Sequence, residues 1–196
     1  MRTTILALLI GSITIYASQA MAVDFPTGFY AGAGGGVSSD RDFCAQAGKT
    51  NNCEDTDFAW RIYGGYQLLK WVSFEGGYTD LGSSDAKIAL VGVADETKSE
   101  VEGFTLATAL TIPKIGIFGK VGAFFWDKDS TTVPLGFDPV SASETGTSLM
   151  FGVGGRYPLT EKFGIGLEWD RYVDVGDNTV GESDMDVYSI DLIWSF

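Results

Sequence analysis

The sequence predicts an all-β fold, an eight-stranded antiparallel up-and-down transmembrane β-barrel. Eight segments between residues 28 and 196 alternate bulky apolar side chains with small or polar ones, as strands with one apolar face do. The connections between them alternate long and short, beginning and ending with a long one, which is typical of barrels with tight periplasmic turns and larger external loops. Abundant glycine (26 residues) and aromatic residues (13%) favour closely packed strands over helices.

The first four strands are predicted over residues 28–38, 58–67, 72–79 and 104–110. A polar loop with both cysteines follows the first strand, and a three-residue connection joins the second to the third. In the second strand Trp60 and Ile62 share one face, whereas Arg61 and Tyr63 share the other. A long acidic loop is expected over residues 80–100, where the alternation is lost.

The last four strands are predicted over residues 115–126, 149–157, 163–170 and 188–196. A short turn around Pro113 precedes the fifth strand, Pro158 ends the sixth, and an acidic loop and a polar loop separate the remaining strands. In the fifth strand three aromatic residues fall on the face that otherwise carries small residues, and we interpret them as a local exception: Phe118, Phe124 and Trp126.

The two faces of these strands differ in size, which decides what each one contacts. A soluble barrel of the lipocalin type would place the apolar residues inside, and periodicity alone does not distinguish the two arrangements. Glycine, alanine and serine on one face fit the crowded interior of a narrow barrel, so the bulky face is expected to contact lipid. Several aromatic residues fall near strand ends, as expected at the two membrane interfaces: Tyr66, Trp71, Tyr78, Tyr157, Trp169, Tyr188 and Trp194.

Residues 1–22 are predicted to be a cleaved signal peptide that exports the chain. Arg2 precedes an apolar run over residues 5–9, and Ala20 and Ala22 form a small-x-small cleavage pattern. An uncleaved membrane anchor is the alternative, but the apolar run is shorter than the ~20 residues that a spanning helix needs. Residues 23–196 are then expected to form a single barrel domain.

Charge and cysteine content exclude some functions. The formal net charge is −13, and an acidic surface repels phosphate backbones, so no nucleic-acid partner is expected. Cys44 and Cys53 are the only cysteines, and behind a signal peptide they predict a disulfide. Two sulfurs in a chain without histidine make a poor zinc site, and no metal or cofactor is expected.

The last residues of the chain resemble the carboxy-terminal assembly signal of Gram-negative outer-membrane barrels. Apolar residues stand at every second position up to a terminal aromatic: Tyr188, Ile190, Leu192, Trp194 and Phe196. This resemblance implies the outer membrane as the location and the barrel-assembly machinery as a partner.

Further motifs are similar to the OmpA-like transmembrane barrels. They lie in the second, third, fifth and seventh strands and comprise Gly64, Gly65, Tyr66 and Gln67, then Phe74, Glu75, Gly77, Tyr78, Leu81 and Gly82, then Lys120, Gly122, Trp126 and Asp127, and finally Leu167, Glu168 and Trp169. The resemblance covers residues 28–196 and implies an eight-stranded barrel. The peptidoglycan-binding domain of the best-known members is expected to be absent, and no cell-wall tether is carried over.

Six charged residues are predicted to point into the barrel: Arg61, Glu75, Lys120, Arg156, Glu168 and Asp191. Charges in a low-dielectric lumen must be paired, so three of each sign predict a closed network of ion pairs. In the resembled family, acids at the positions of Glu75 and Glu168, a base at that of Lys120 and a further lysine form a proposed switchable gate. Ala109 stands where the further lysine would be, which favours structural packing over a conducting pore.

The sequence favours a small non-enzymatic protein that contributes to envelope integrity and surface interactions. Without histidine, base-assisted nucleophilic catalysis has no candidate residues. The acidic clusters at residues 54–57 and 127–129 lack EF-hand spacing and are interpreted as solvated loops. Expected partners are outer-membrane lipid and lipopolysaccharide, and host or surface ligands through the acidic loops. The alternatives are a narrow passive pore and a soluble periplasmic ligand-binding barrel.

Overall fold

Nine strands form the described part of the chain, which is a computed structural model covering residues 27–41, 52–90, 93–133, 138–177 and 179–196. In chain order they are β1 (Gly28–Asp40), β2 (Asn52–Glu54), β3 (Thr56–Leu69), β4 (Val72–Leu90), β5 (Val93–Ile112), β6 (Ile117–Val133), β7 (Val140–Pro158), β8 (Phe163–Val175) and β9 (Ser183–Ser195). Among the described residues, no helix is long and apolar enough to cross a bilayer.

Eight of these strands form a closed wall, and the short β2 pairs with β4 outside it. Each wall strand is antiparallel to its sequence neighbour in the wall, and β9 closes the barrel by pairing with β1. The closing register sets Gly34 of β1 opposite Asp191 of β9. The predicted eight-stranded up-and-down barrel is therefore confirmed.

The turns at the periplasmic end are short and use residues suited to tight bends. Lys70 and Trp71 connect β3 to β4. Between β5 and β6 the chain turns at Lys114 and Gly116, with φ angles of 74° and 76°, a left-handed conformation that glycine adopts without steric cost. At the β7–β8 turn the Thr160 hydroxyl oxygen accepts a hydrogen bond from the backbone N–H of Phe163 at 2.9 Å.

The bulky residues lie on the outer surface, as predicted for contact with lipid. Leu167 is 62% exposed and Leu192 is 68% exposed, whereas Asp191 beside Leu192 is 1% exposed. A lipocalin-like arrangement would show the reverse. Aromatic rings cluster near both ends of the apolar band, where the ring centroids of Trp194 and Phe196 are 4.9 Å apart at one end and those of Trp60 and Tyr78 are 5.5 Å apart at the other.

The long acidic loop predicted over residues 80–100 is wrong, because β4 and β5 stay paired as far as Leu90 and Val93. In the same way, the predicted acidic loop after the fifth strand is mostly strand, since β6 and β7 remain paired up to Thr132 and Val140. Above the bilayer no lipid contacts the outer face of a strand, so the apolar alternation that marks a membrane strand is not required there. We refer to these extensions of β4–β7 as the protruding sheet.

Two predictions concern residues that lie outside the described part of the chain. The predicted signal peptide, residues 1–22, is one of them. The predicted disulfide is the other, because Cys44 is not described and only the backbone of Cys53, within β2, is. Both stay predictions.

Candidate functional site in the barrel lumen

The barrel encloses a layer of buried charged side chains near its middle, which we call the ionic layer. All six predicted charges lie in the lumen and are at most 8% exposed. Space for them comes from glycines on the inner face of the wall. A side-chain carbon at Gly34 would collide with the carboxylate of Asp191, so only glycine leaves that carboxylate its place.

Arg61 of β3 binds three carboxylates on β9 and β8, the strands that follow β1 around the wall. Its Nε and Nη2 donate to the two carboxylate oxygens of Asp191 at 2.9 and 2.6 Å, in a bidentate pair. Its Nη2 also donates to Glu168 at 2.5 Å, and its Nη1 to Asp170 at 2.7 Å. A planar guanidinium with several donors can make such bonds simultaneously, which a lysine ammonium cannot reproduce. Arg61 therefore links β3 to both β8 and β9.

Lys120 completes this cluster from β6. Its Nζ forms a close ion pair with Glu168 and lies 3.2 Å from an Asp170 carboxylate oxygen. Glu168 and Asp170 are thus each held by two cations, and the cluster of Arg61, Lys120 and the three acids is fully enclosed.

A second ion pair lies nearer the periplasmic end, between Arg156 of β7 and Glu75 of β4. The Tyr30 hydroxyl donates a hydrogen bond to Glu75 at 2.6 Å. The Arg156 guanidinium lies 4.3 Å from the centre of the Phe118 ring and 5.4 Å from that of Tyr30, within the range of cation–π attraction. These contacts tie β4 to β7 across the lumen.

Asp170 is the functional residue that the sequence prediction missed, and its presence corrects the predicted equality of signs. The layer holds four acids and three bases among the described residues. Asp170 lies two residues after Glu168 on the same face of β8, so strand periodicity was a sufficient signal. Ala109 is buried opposite Lys120 in the neighbouring strand and offers no charge for exchange of partners.

Above the ionic layer the lumen is filled by apolar side chains, which we call the apolar layer. Its buried members are Ala59, Leu81, Val101, Phe124, Trp126, Met150, Tyr172, Val175, Met185 and Val187. Leu81, Phe124 and Met150 are 0% exposed, and the ring centroids of Phe124 and Tyr172 are 4.5 Å apart. Two of the three aromatic residues predicted as a local exception, Phe124 and Trp126, are therefore part of a core to which most of the wall contributes, whereas Phe118 packs against Arg156.

The last connection, between β8 and β9, is fastened at the extracellular mouth by Lys128. Its Nζ donates to the backbone carbonyls of Val175 at 3.3 Å and Gly181 at 2.7 Å. Burial lowers the pKa of Lys128, and the carboxylates of Asp40 and Asp177 oppose that effect only in part. The connection is thus held by hydrogen bonds from a residue that sequence reasoning did not select.

Among the described residues, the acids outside the lumen do not form a prepared cation site. In the part of the chain that the structure describes, no group of three or more potential metal ligands is close enough to bind an ion. Asp57 instead accepts hydrogen bonds from the Ser83 and Phe58 backbone N–H groups, each at 2.7 Å. Burial alone would raise the pKa of Asp57, but these hydrogen bonds outweigh it and hold the pKa below its ordinary value. Asp57 therefore anchors the β4 bulge at Gly82, where φ is 76°.

An apolar outer band, aromatic rings at its ends and a packed polar interior together define an outer-membrane β-barrel. Comparison with known proteins gives the family. The chain matches the OmpA-like transmembrane domain over residues 26–196, and it belongs to that family. It is a protein of the Gram-negative outer membrane.

Among curated proteins, outer membrane protein A of Salmonella typhi is 28% identical over 189 residues, which cover 92% of this chain and 51% of that protein. Outer membrane protein A of Klebsiella pneumoniae is 31% identical over 125 residues, 61% of this chain and 35% of that protein. The chain spans about half the length of the first of these relatives.

Solved structures share the fold at low sequence identity. The attachment invasion locus protein of Yersinia pestis aligns with a TM-score of 0.56 and 12% identity, covering 87% of this chain and 100% of that one. Neisserial surface protein A aligns with a TM-score of 0.51 and 16% identity, covering 87% and 98%. Both likenesses concern the architecture alone.

Proposed function

We propose that this chain is a non-enzymatic outer-membrane protein with a sealed lumen, which contributes to envelope integrity through its barrel and to surface interactions through its acidic extracellular part. Lipopolysaccharide and outer-membrane lipid surround the apolar band, and the carboxy-terminal segment ending at Phe196 is recognised by the barrel-assembly machinery. A signal peptide over residues 1–22 precedes the barrel domain.

The observation that carries the proposal is the double filling of the lumen. A solute entering from outside meets the fastened mouth, then the apolar layer with Phe124 and Met150, and then the ionic layer. Moving an ion through an apolar constriction removes its hydration without supplying ligands, which is strongly unfavourable. In the next layer each of the four carboxylates already contacts at least one of the three cations, and these groups are buried.

The residue inventory supports a non-enzymatic role. The chain has no histidine to act as a general base, and the buried acids of the lumen are held in ion pairs away from any opening. Scaffold functions need only a stable wall, and contact functions need an exposed surface such as the outer side chains of residues 141–147.

Planar-bilayer recording of the refolded mature chain tests the sealed lumen. We expect no stepwise conductance from the wild-type protein, and none from Lys120→Ala, because the apolar layer is unchanged in that variant. Glu161→Gln, in an exposed periplasmic turn, is the matched control for a changed charge. Discrete channels in the wild type, altered by Lys120→Ala but not by the control, would instead establish the narrow pore.

Envelope integrity is tested in the source bacterium by deleting the gene and measuring growth in detergent and bile salts. We expect the deletion to sensitise cells, and the wild-type barrel and the Glu161→Gln barrel to restore resistance equally. Unchanged resistance of the deletion strain would contradict the envelope role.

A further inference from the structure

Strand β7 is paired on one side only over its extracellular half. Its residues from Val140 onward pair with β6, whereas its pairing with β8 begins at Met150. Within the described residues, no strand pairs with the other side of residues 140–147. We call this stretch the open edge of the protruding sheet. Every second residue of a strand turns its backbone N–H and C=O to one side, so the open edge offers unpaired donors and acceptors over roughly 25 Å.

The open edge lacks several of the features by which proteins usually prevent strand addition. Its sequence, residues 140–147, contains neither proline nor lysine, and its register with β6 runs without a bulge. Its outward side chains are small hydroxyl residues, Ser141, Ser143, Thr145 and Thr147, all exposed. On the outer surface an incoming strand therefore meets only these small side chains, because Glu144, the one charged residue of the stretch, lies on the other face.

Carboxylates lie one strand further in on the same outer surface. Asp127 and Asp129 of β6 are positioned directly behind the hydroxyl residues, and the Ser143 hydroxyl donates to an Asp127 carboxylate oxygen at 3.4 Å. Glu100 and Glu102 continue the acidic surface on β5, opposite Asp129 and Asp127. Outward side chains of a strand added to the open edge would stand about 9.6 Å from β6, two strand spacings, which extended lysine or arginine side chains can bridge.

We propose that the open edge of β7 binds an extended segment of a basic polypeptide, which adds to the protruding sheet as a further antiparallel or parallel strand. Backbone hydrogen bonds to residues 140–147 hold the segment, and its outward cations pair with Asp127 and Asp129. This specifies the surface interaction of the proposed function and rests on it. A second copy of the chain is the less favourable occupant, because two chains of formal charge −13 repel each other.

The test uses the refolded mature chain in detergent micelles and a labelled nine-residue peptide of alternating threonine and lysine. Fluorescence anisotropy measures its affinity. Two control peptides separate the causes: one is N-methylated at five consecutive central residues, which keeps its charge and removes its backbone donors, and one carries glutamate in place of lysine. We expect the N-methylated peptide and the glutamate peptide each to bind at least tenfold more weakly than the parent peptide.

Protein variants locate the site. Asp127→Asn should weaken binding of the lysine peptide about threefold and reduce its salt dependence, whereas Glu161→Gln, the same loss of charge at the other end of the barrel, should not. Proline is introduced singly at Ser143 and at Glu144, because only one of these neighbours directs its backbone N–H to the open edge and the other directs it to β6. The proline that removes the N–H at the open edge should abolish peptide binding while keeping the gel mobility shift of a folded barrel.

Amide hydrogen exchange gives an independent readout. Bound peptide should slow amide exchange in residues 140–147 and leave exchange unchanged in the membrane-spanning parts of the wall strands. Equal affinity of the N-methylated and parent peptides would show adsorption by charge alone and overturn the proposal. Protection of the same amides without peptide, together with a concentration-dependent dimer, would assign the edge to a second copy. Neither result affects the conductance test of the sealed lumen.

Discussion

Arg61→Met should strongly destabilise the barrel. Arg61 is 6% exposed and donates to Asp191, Glu168 and Asp170 in the lumen. Lys120 still contacts Glu168 and Asp170 in the variant, but among the described contacts Asp191 keeps only a long hydrogen bond of 3.5 Å from the hydroxyl of a neighbouring serine. Leaving a buried carboxylate without its cation costs about 3–5 kcal/mol of unfolding free energy.

The assay is urea unfolding in phospholipid vesicles, followed by the fluorescence of the five tryptophans in both the unfolding and the refolding direction. Arg61→Lys is the control, because it keeps the charge but cannot bind three carboxylates in a plane, so its loss should be smaller. The double variant Arg61→Met/Asp191→Asn no longer contains the unpaired carboxylate of Asp191. Its loss of unfolding free energy should therefore be smaller than the sum of the two single losses by at least ~1 kcal/mol.

The reasoning would be refuted by an Arg61→Met loss below ~1 kcal/mol, or by strictly additive single and double variants. The first result would mean that water reaches the lumen and solvates the carboxylates. The second would mean that Arg61 and Asp191 do not interact energetically despite their bidentate geometry.

Two further predictions concern single positions. Gly34→Ala should cost about 1–3 kcal/mol, because its methyl group collides with the Asp191 carboxylate, whereas Gly155→Ala, whose added carbon meets no atom within 4 Å, should be neutral or slightly stabilising in the same urea titration. Because the pKa of Asp57 is lowered on folding, its contribution to the β4 bulge is present above its ordinary pKa of 3.8 and is lost as the pH falls through the lowered value. The NMR shift of the Ser83 amide should follow this titration with a midpoint below 3.8, and Asp57→Asn should abolish it; a midpoint at or above 3.8 would contradict the assignment.

The barrel wall could be predicted from the sequence because lipid and lumen select different side chains. A strand such as β9 must place Leu192 in hydrocarbon and Asp191 among polar partners in the lumen. Lipid-facing and lumen-facing residues therefore alternate along the sequence with a period of two. The same signal placed all six predicted charges on the inner face.

The protruding sheet could not be predicted in this way, since residues 93–100 show no alternation of apolar and polar residues. The apolar layer was missed for a related reason. Phe124, Met150 and Tyr172 interrupt the small and polar inner face in separate strands, and only the closed barrel brings them together. Which charges meet across the lumen depends on the stagger between distant strands, and no local pattern reports that stagger.

The ion pairs connect walls of the barrel that are far apart in sequence, which favours a structural role over a gate. Arg61 and Asp191 are separated by 130 positions, and Arg156 and Glu75 by 81. Side chains facing lipid gain little from packing together, because lipid tails are as apolar as the side chains themselves. The lumen is therefore where specific side-chain contacts can fix the shape of the wall. A gate requires a charge to exchange partners at low cost. Moving Arg61 would break four hydrogen bonds and leave the Asp191 carboxylate without a cation, so the arrangement stabilises one state of the barrel.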